Sequence, residues 1–123
     1  MKSNIKSYQD LEVWQKPMGL VVICYQMTMK FPKIEIYGLS SQLRRAAVSV
    51  PANIAEGLQR QHSNEFLQHL SISYGSLAEL ETRIQIAGRL NDVYQDQINT
   101  MLDITSEIGK MLNGLRRSIK KRS

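Results

Sequence analysis

Two arginines stand side by side at positions 44 and 45, and Arg116, Arg117, Lys120, Lys121 and Arg122 crowd a short segment near the C-terminal end. A guanidinium holds its donors in a rigid fork that matches the edge of a phosphate or a carboxylate. These seven residues and Arg60 are therefore the candidates for contact with RNA or DNA. The formal net charge is +5, from 16 Lys and Arg against 11 Asp and Glu. Removing the five cations of residues 116 to 122 leaves the rest of the chain balanced, so the positive excess has one address. Such a run also reads as a solvated end. Arg44 and Arg45 have an equally ordinary reading, in which they pair with Glu56, Glu79 or Glu81.

Other chemistries find less support. The chain has two histidines, His62 and His69. A di-metal site in a helical bundle needs glutamates on two helices and a Glu-x-x-His pair on each of the other two. Here Glu65 and His69 stand four apart, once, which suits a surface pair better than a ligand set. Cys24 is the single cysteine and has no histidine near it in sequence. It reads as a small buried hydrophobe in a reducing compartment. There is no Gly-x-Ser-x-Gly elbow, no Cys-x-x-Cys and no phosphate-cradling glycine loop. No cofactor, metal ion or catalytic residue is expected, and the chain reads as a non-enzyme.

The elements that carry these residues pose one problem. Residues 43 to 57, Leu-Arg-Arg-Ala-Ala-Val-Ser-Val-Pro-Ala-Asn-Ile-Ala-Glu-Gly, look helical yet hold Pro51 at their centre. Proline removes the N–H that would reach Ala47 and crowds that turn, at roughly 3 kcal/mol in a helix interior. Leu39, Leu43, Ala46, Ala47, Val50, Ile54 and Leu58 nevertheless keep one face on both sides of it, which predicts one kinked helix rather than two. Ala46, Ala47, Ser49, Ala52, Ala55 and Gly57 are small, so a partner helix can come close, with Gly75 and Ser76 as the facing site. Pro51, Asn53, Glu56 and Gly57 form the structural motif. Asn53 and Glu56 either bond backbone freed at the kink or reach across a subunit interface. Pro17 removes a donor to Val13 in the same manner.

Helical periodicity recurs in three further segments. The predicted seams are Leu11, Trp14, Met18, Val21, Tyr25 and Thr28; then Phe66, Leu70, Ser73, Leu77, Leu80, Ile84 and Ala87; then Tyr94, Ile98, Met101, Thr105, Ile108, Leu112, Leu115 and Ile119. Trp14 is expected in the core. Ser7 with Asp10 resembles a capping box opening the first helix, and Asp92 with Gln95 one opening the last. Ser40 and Ser63 are read as caps of the second and third. Phe31-Pro32, Tyr37-Gly38 and Asn91-Asp92 mark the connections. No run of period-two alternation suggests strands. The expected fold is an all-α, up-down-up-down four-helix bundle. At 123 residues it makes one domain burying roughly 13,700 Å², with about residues 1–7 and 119–123 as flexible tails. No targeting segment or stretch long enough to cross a bilayer is read, which points to the cytoplasm and away from a membrane.

Several stretches occur in a telling order. They are Asp-Leu-Glu-Val-Trp-Gln-Lys (10–16), Phe-Pro (31–32), Tyr-Gly-Leu-Ser-Ser-Gln-Leu-Arg-Arg-Ala-Ala-Val-Ser-Val-Pro-Ala-Asn-Ile-Ala-Glu-Gly (37–57), Glu-Phe (65–66), Gly-Ser-Leu-Ala-Glu-Leu-Glu-Thr (75–82) and Met-Leu-Asn-Gly-Leu-Arg-Arg-Ser (111–118). The chain resembles the bacterial four-helix-bundle proteins encoded by intervening sequences within 23S ribosomal RNA genes. That family is similar in turn to the accessory variability proteins of diversity-generating retroelements. The resemblance implies a homopentameric, ring-like barrel whose partners are its own copies, RNA or DNA, and a reverse transcriptase or other neighbouring gene product. The expected function is non-catalytic binding of nucleic acid without sequence specificity. The alternative is a scaffold that docks a partner enzyme and binds no nucleic acid itself.

Overall fold

The computed structural model describes residues 7–35, 38–90 and 94–122. Among them are four α-helices and no strand: α1 (Glu12–Thr28), α2 (Leu39–Gln59), α3 (Ser63–Leu90) and α4 (Gln95–Arg122), with short 3-10 helices at Tyr8–Asp10 and Lys33–Glu35. α1 packs on α2 and α4, α2 on α3, and α3 on α4, which closes a square around one core. At 1.5 Å per residue α3 and α4 are each about 42 Å long and α1 about 25 Å. The long pair therefore projects past α1. The basic run expected to leave the fold as a tail is helical as far as Arg122, with Ile119 buried.

Three of the four seams lie where periodicity puts them. Leu43, Ala46, Ala47, Val50 and Ile54 of α2 are buried, as are Leu70, Ser73, Leu77, Leu80, Ile84 and Ala87 of α3 and Ile98, Met101, Thr105, Ile108, Leu112 and Ile119 of α4. The seam of α1 is displaced. It buries Val13, Pro17, Leu20, Cys24, Met27 and Thr28, while Met18 and Tyr25 face outward. Trp14 is half-buried at the rim of the core, edge-on to Tyr8 with ring centroids 5.3 Å apart. α1 is apolar on nearly every side, so periodicity alone fits two faces of it.

α2 runs unbroken through Pro51. Two side chains brace the turn around it. The Ser73 hydroxyl of α3 donates to the Val50 carbonyl at 2.8 Å, and Asn53 Nδ2 donates to the Ser49 carbonyl at 2.9 Å. The close helix approach is at Gly57, where a Cβ would lie 2.6 Å from His69 Cβ and 3.0 Å from Phe66 Cδ1. Gly75 does not take part: a Cβ there would meet nothing within 4 Å. Ser73 and Ser76 are the α3 residues that meet the turn before Pro51, at Val50 and Ser49.

The helix ends correct several expectations. The Ser7–Asp10 capping box exists, with Ser7 Oγ accepting from Gln9 N–H and Asp10 Oδ2 from Ser7 N–H, but it opens the 3-10 turn ahead of α1. Gly38 precedes α2, and Ser40 is buried within its first turn. Ser63 is the first residue of α3, and the carbonyl accepting from Phe66 N–H belongs to His62. Tyr37, Asn91 and Asp92 lie outside the described residues. Where α1 ends, Tyr94 seals the bundle: its hydroxyl donates to the Lys30 carbonyl at 2.9 Å and its ring packs on Phe31.

Candidate nucleic-acid interface

Arg44 leaves α2 toward the end of α1. Its Nε donates to Thr28 Oγ1 at 2.8 Å, and its guanidinium lies over the Tyr25 ring, 4.6 Å from the centroid. Thr28 in turn donates to the Cys24 carbonyl at 2.8 Å, so the arginine is held by a hydroxyl already fixed to the helix. The exposed Arg45 reaches back to Ser41 Oγ at 3.4 Å. Neither arginine meets Glu56, Glu79 or Glu81, contrary to the ion-pair expectation. Glu56 takes Arg60, Glu79 takes Arg83, and Glu81 accepts from the Thr105 hydroxyl. Among the described residues no carboxylate lies within ion-pair reach of Arg44 or Arg45. Tyr25, Ser41, Arg44, Arg45, Val48 and Ser49 enclose an open hollow of about 530 Å³ between α1 and α2.

Arg60 is placed differently. It bonds Glu56 Oε2 at 2.8 Å and Glu65 Oε1 at 3.4 Å, tying the end of α2 to the start of α3. The Arg60 hydrogen bond holds the Glu56 carboxyl below its ordinary value of 4.5, and Glu56 holds the guanidinium further up. A phosphate would have to displace two carboxylates there, so Arg60 serves as a clamp. Asn53 belongs to the same α2–α3 seam. Its Nδ2 donates to Ser49, and its Oδ1 faces His69 Nδ1 at 2.9 Å. A carboxamide oxygen only accepts, so Nδ1 carries the proton and the tautomer is set. His69 Nε2 then stands 4.0 Å from Glu56. The motif around Pro51 thus bonds backbone and a neighbouring helix of the same chain.

The charge on α4 is divided along its length. Residues 95–107 hold Asp96, Asp103 and Glu107 without a cation, and residues 108–122 hold Lys110, Arg116, Arg117, Lys120, Lys121 and Arg122 without an acid. This order favours the helix dipole at both ends. It also makes the outer half of α4 a cationic rod. Arg116 lies over the Tyr74 ring at 5.6 Å, and Arg117, Lys120 and Lys121 are exposed. Lys16 of α1 pairs with Glu107 at 3.0 Å on the acidic half.

Among the described residues no group of three His, Cys, Asp or Glu is placed to hold a metal ion. Cys24 is fully buried, and desolvation pushes its thiol up to about 11 despite the opposing pull of Arg44. It stays a thiol at neutral pH, a poor nucleophile. No helix among the described residues is long and apolar enough to cross a membrane.

A family model described as 23S rRNA-intervening sequence protein matches residues 9–114. The chain belongs to that family. A solved relative agrees in fold: the crystal structure of a protein of unknown function from the S23 ribosomal protein family of Bacteroides thetaiotaomicron superposes with a TM-score of 0.75. It is 23% identical, and the match covers 85% of this chain and 97% of that one. Comparison with curated proteins finds no match. The family match ends at residue 114, so the cations from Arg116 onward lie beyond it. Sequence reasoning missed the Tyr25–Arg44 stack because it had assigned Tyr25 to the core. The signal was the surplus of apolar residues on α1.

Proposed function

We propose that the protein is a non-catalytic, ring-like homo-oligomer of four-helix bundles that binds RNA or DNA through phosphate contacts. The observation that carries the binding reading is the outer half of α4, six cations without an acid on a helix that runs to Arg122. Clustered cations of this kind gain affinity by releasing counterions from the phosphate backbone, whatever the base sequence. Assembly is supported by α1. Met18, Val22 and, at its C-cap, Met29 form an outward stripe on a helix whose other side already fills the core. Ile72, Ile86 and Leu90 of α3, the diagonal helix of the square, are also exposed. Two unlike apolar faces suit a head-to-tail contact, the kind that makes a ring where its rotation closes. Five subunits are taken from the resemblance, a bend at Pro51 from the missing N–H and the continuous apolar face, and both belong to this reading. A second reading, favoured by the same stripes, is that they dock a partner enzyme such as a reverse transcriptase.

Deleting residues 116–123 would remove buried Ile119 along with the charge, so neutralisation is the cleaner test. Changing Arg116, Arg117, Lys120 and Lys121 together to Gln should weaken binding and flatten its salt dependence. Each lost phosphate contact should reduce the slope of log affinity on log salt by about 0.7 to 0.9. Unchanged affinity and slope would remove α4 from the interface. An unaltered protein that binds no nucleic acid at low salt would favour the docking reading.

A further inference from the structure

We infer that the hollow between α1 and α2 is a subsite for one unpaired nucleotide, and that it makes the protein prefer single-stranded nucleic acid to duplex. The inference rests on the nucleic-acid reading above and adds a selectivity that the α4 cations do not supply. A cationic rod attracts the phosphates of a duplex and of a single strand alike. The hollow is different in kind, because it joins guanidinium to aromatic and aliphatic surface.

Its parts can be assigned. Arg44 uses Nε on Thr28 Oγ1 and lies against Tyr25, so its plane is fixed before any ligand arrives. Its two terminal nitrogens make no ion pair with a described carboxylate, and neither do those of Arg45. One fixed fork, Arg44, and the exposed Arg45 beside it on the same rim fit the oxygens of a phosphodiester. Tyr25 is 40% exposed and Val48 41% exposed, which leaves apolar surface inside the hollow for a base. Ser41 Oγ accepts from Arg45 at 3.4 Å and keeps its O–H to donate at the base edge. Ser49 cannot do so readily, since its Oγ already accepts from Asn53 and pairs with Ser76 at 2.8 Å. A volume of about 530 Å³ accommodates a single nucleotide. In a duplex the bases are stacked and paired inside the helix, so only the phosphate ridge could reach the rim. In a single strand a base can turn out and lie on a tyrosine or a guanidinium plane.

The test compares a short oligoadenylate strand with a duplex of equal length at one salt concentration, using the full chain. The unaltered protein should bind the single strand more tightly. Arg44→Lys keeps the charge but loses the planar fork. It should weaken single-strand binding about tenfold and duplex binding little. Tyr25→Ala should do the same, since a base–aromatic stack contributes roughly this much, and Tyr25→Phe should restore the preference. Solution mass is measured for each variant, because Tyr25 borders the α1 stripe. A strand-selective loss at unchanged mass supports the subsite. Equal losses on both ligands, no loss, or a loss that accompanies altered mass overturns it while leaving the nucleic-acid reading intact. Failure of the unaltered protein to bind either ligand overturns both.

Discussion

Gly57 and Gly114 sit inside long helices, where alanine normally gains about 0.5–1 kcal/mol over glycine. Only one of them can accept it. At Gly114 a Cβ would meet nothing within 4 Å, so Gly114→Ala should stabilise by about that amount. At Gly57 the same methyl would come within 2.6 Å of His69 Cβ, an atom bound directly to the α3 backbone. Overpacking costs about 1–3 kcal/mol, which outweighs the helix gain. Gly57→Ala should destabilise, and the opposite signs are checked by urea unfolding of the two variants. Beside Gly57, Glu56 gives a pH dependence whose direction is fixed. Its carboxyl is held below the ordinary 4.5 by the hydrogen bond from Arg60. A depressed acid stabilises the fold while ionised, so its contribution is whole at neutral pH. It fades as pH falls below about 4.5 and the carboxyl protonates. Glu56→Gln should flatten the loss of stability between neutral and acid pH, and added salt should shrink the difference because the pair is exposed.

Between elements, the α2–α3 seam is where Pro51 becomes tolerable. Ser73 is fully buried and its hydroxyl has the Val50 carbonyl, one residue before the proline, as acceptor. Ser73→Ala should cost about 1 kcal/mol, the net worth of an ordinary internal hydrogen bond. In a variant that also carries Pro51→Ala the cost should fall, since a regular turn needs less bracing. A double-mutant cycle in urea reads that coupling. The same seam shows what a sequence can and cannot disclose. On α4 one face is apolar and the rest is polar, so the period has a single solution and every seam residue from Tyr94 to Ile119 was legible. On α1 Val13, Met18, Leu20, Val21, Val22, Cys24, Tyr25 and Met27 surround the axis. Periodicity then fits two faces, and the buried one is settled only by how α2 and α4 close on it. The arginines were legible as candidates but not as partners. Arg60 is taken by two carboxylates and Arg44 by a hydroxyl and a ring, through contacts between helices that no local spacing encodes.

For the whole molecule, the misplaced seam of α1 is itself informative. A helix that is apolar all round is normally buried all round, yet the single chain covers only one side of α1. Val22 is 53% exposed and Met29 75% exposed, and both stand on the side opposite the core. Neither belongs to the core cluster of the single bundle. Val22→Glu therefore separates the two roles. Placed on a solvated face, the carboxylate should leave helicity and the unfolding midpoint of the single bundle within about 0.5 kcal/mol, as surface changes do. Placed in a contact between copies, it buries an unpaired charge and should shift the solution mass to that of one chain. Light scattering and circular dichroism on the same sample decide between these outcomes. A lone-chain mass already present in the unaltered protein would leave the stripe to a different partner. A ring that survives Val22→Glu would move the contact to another face.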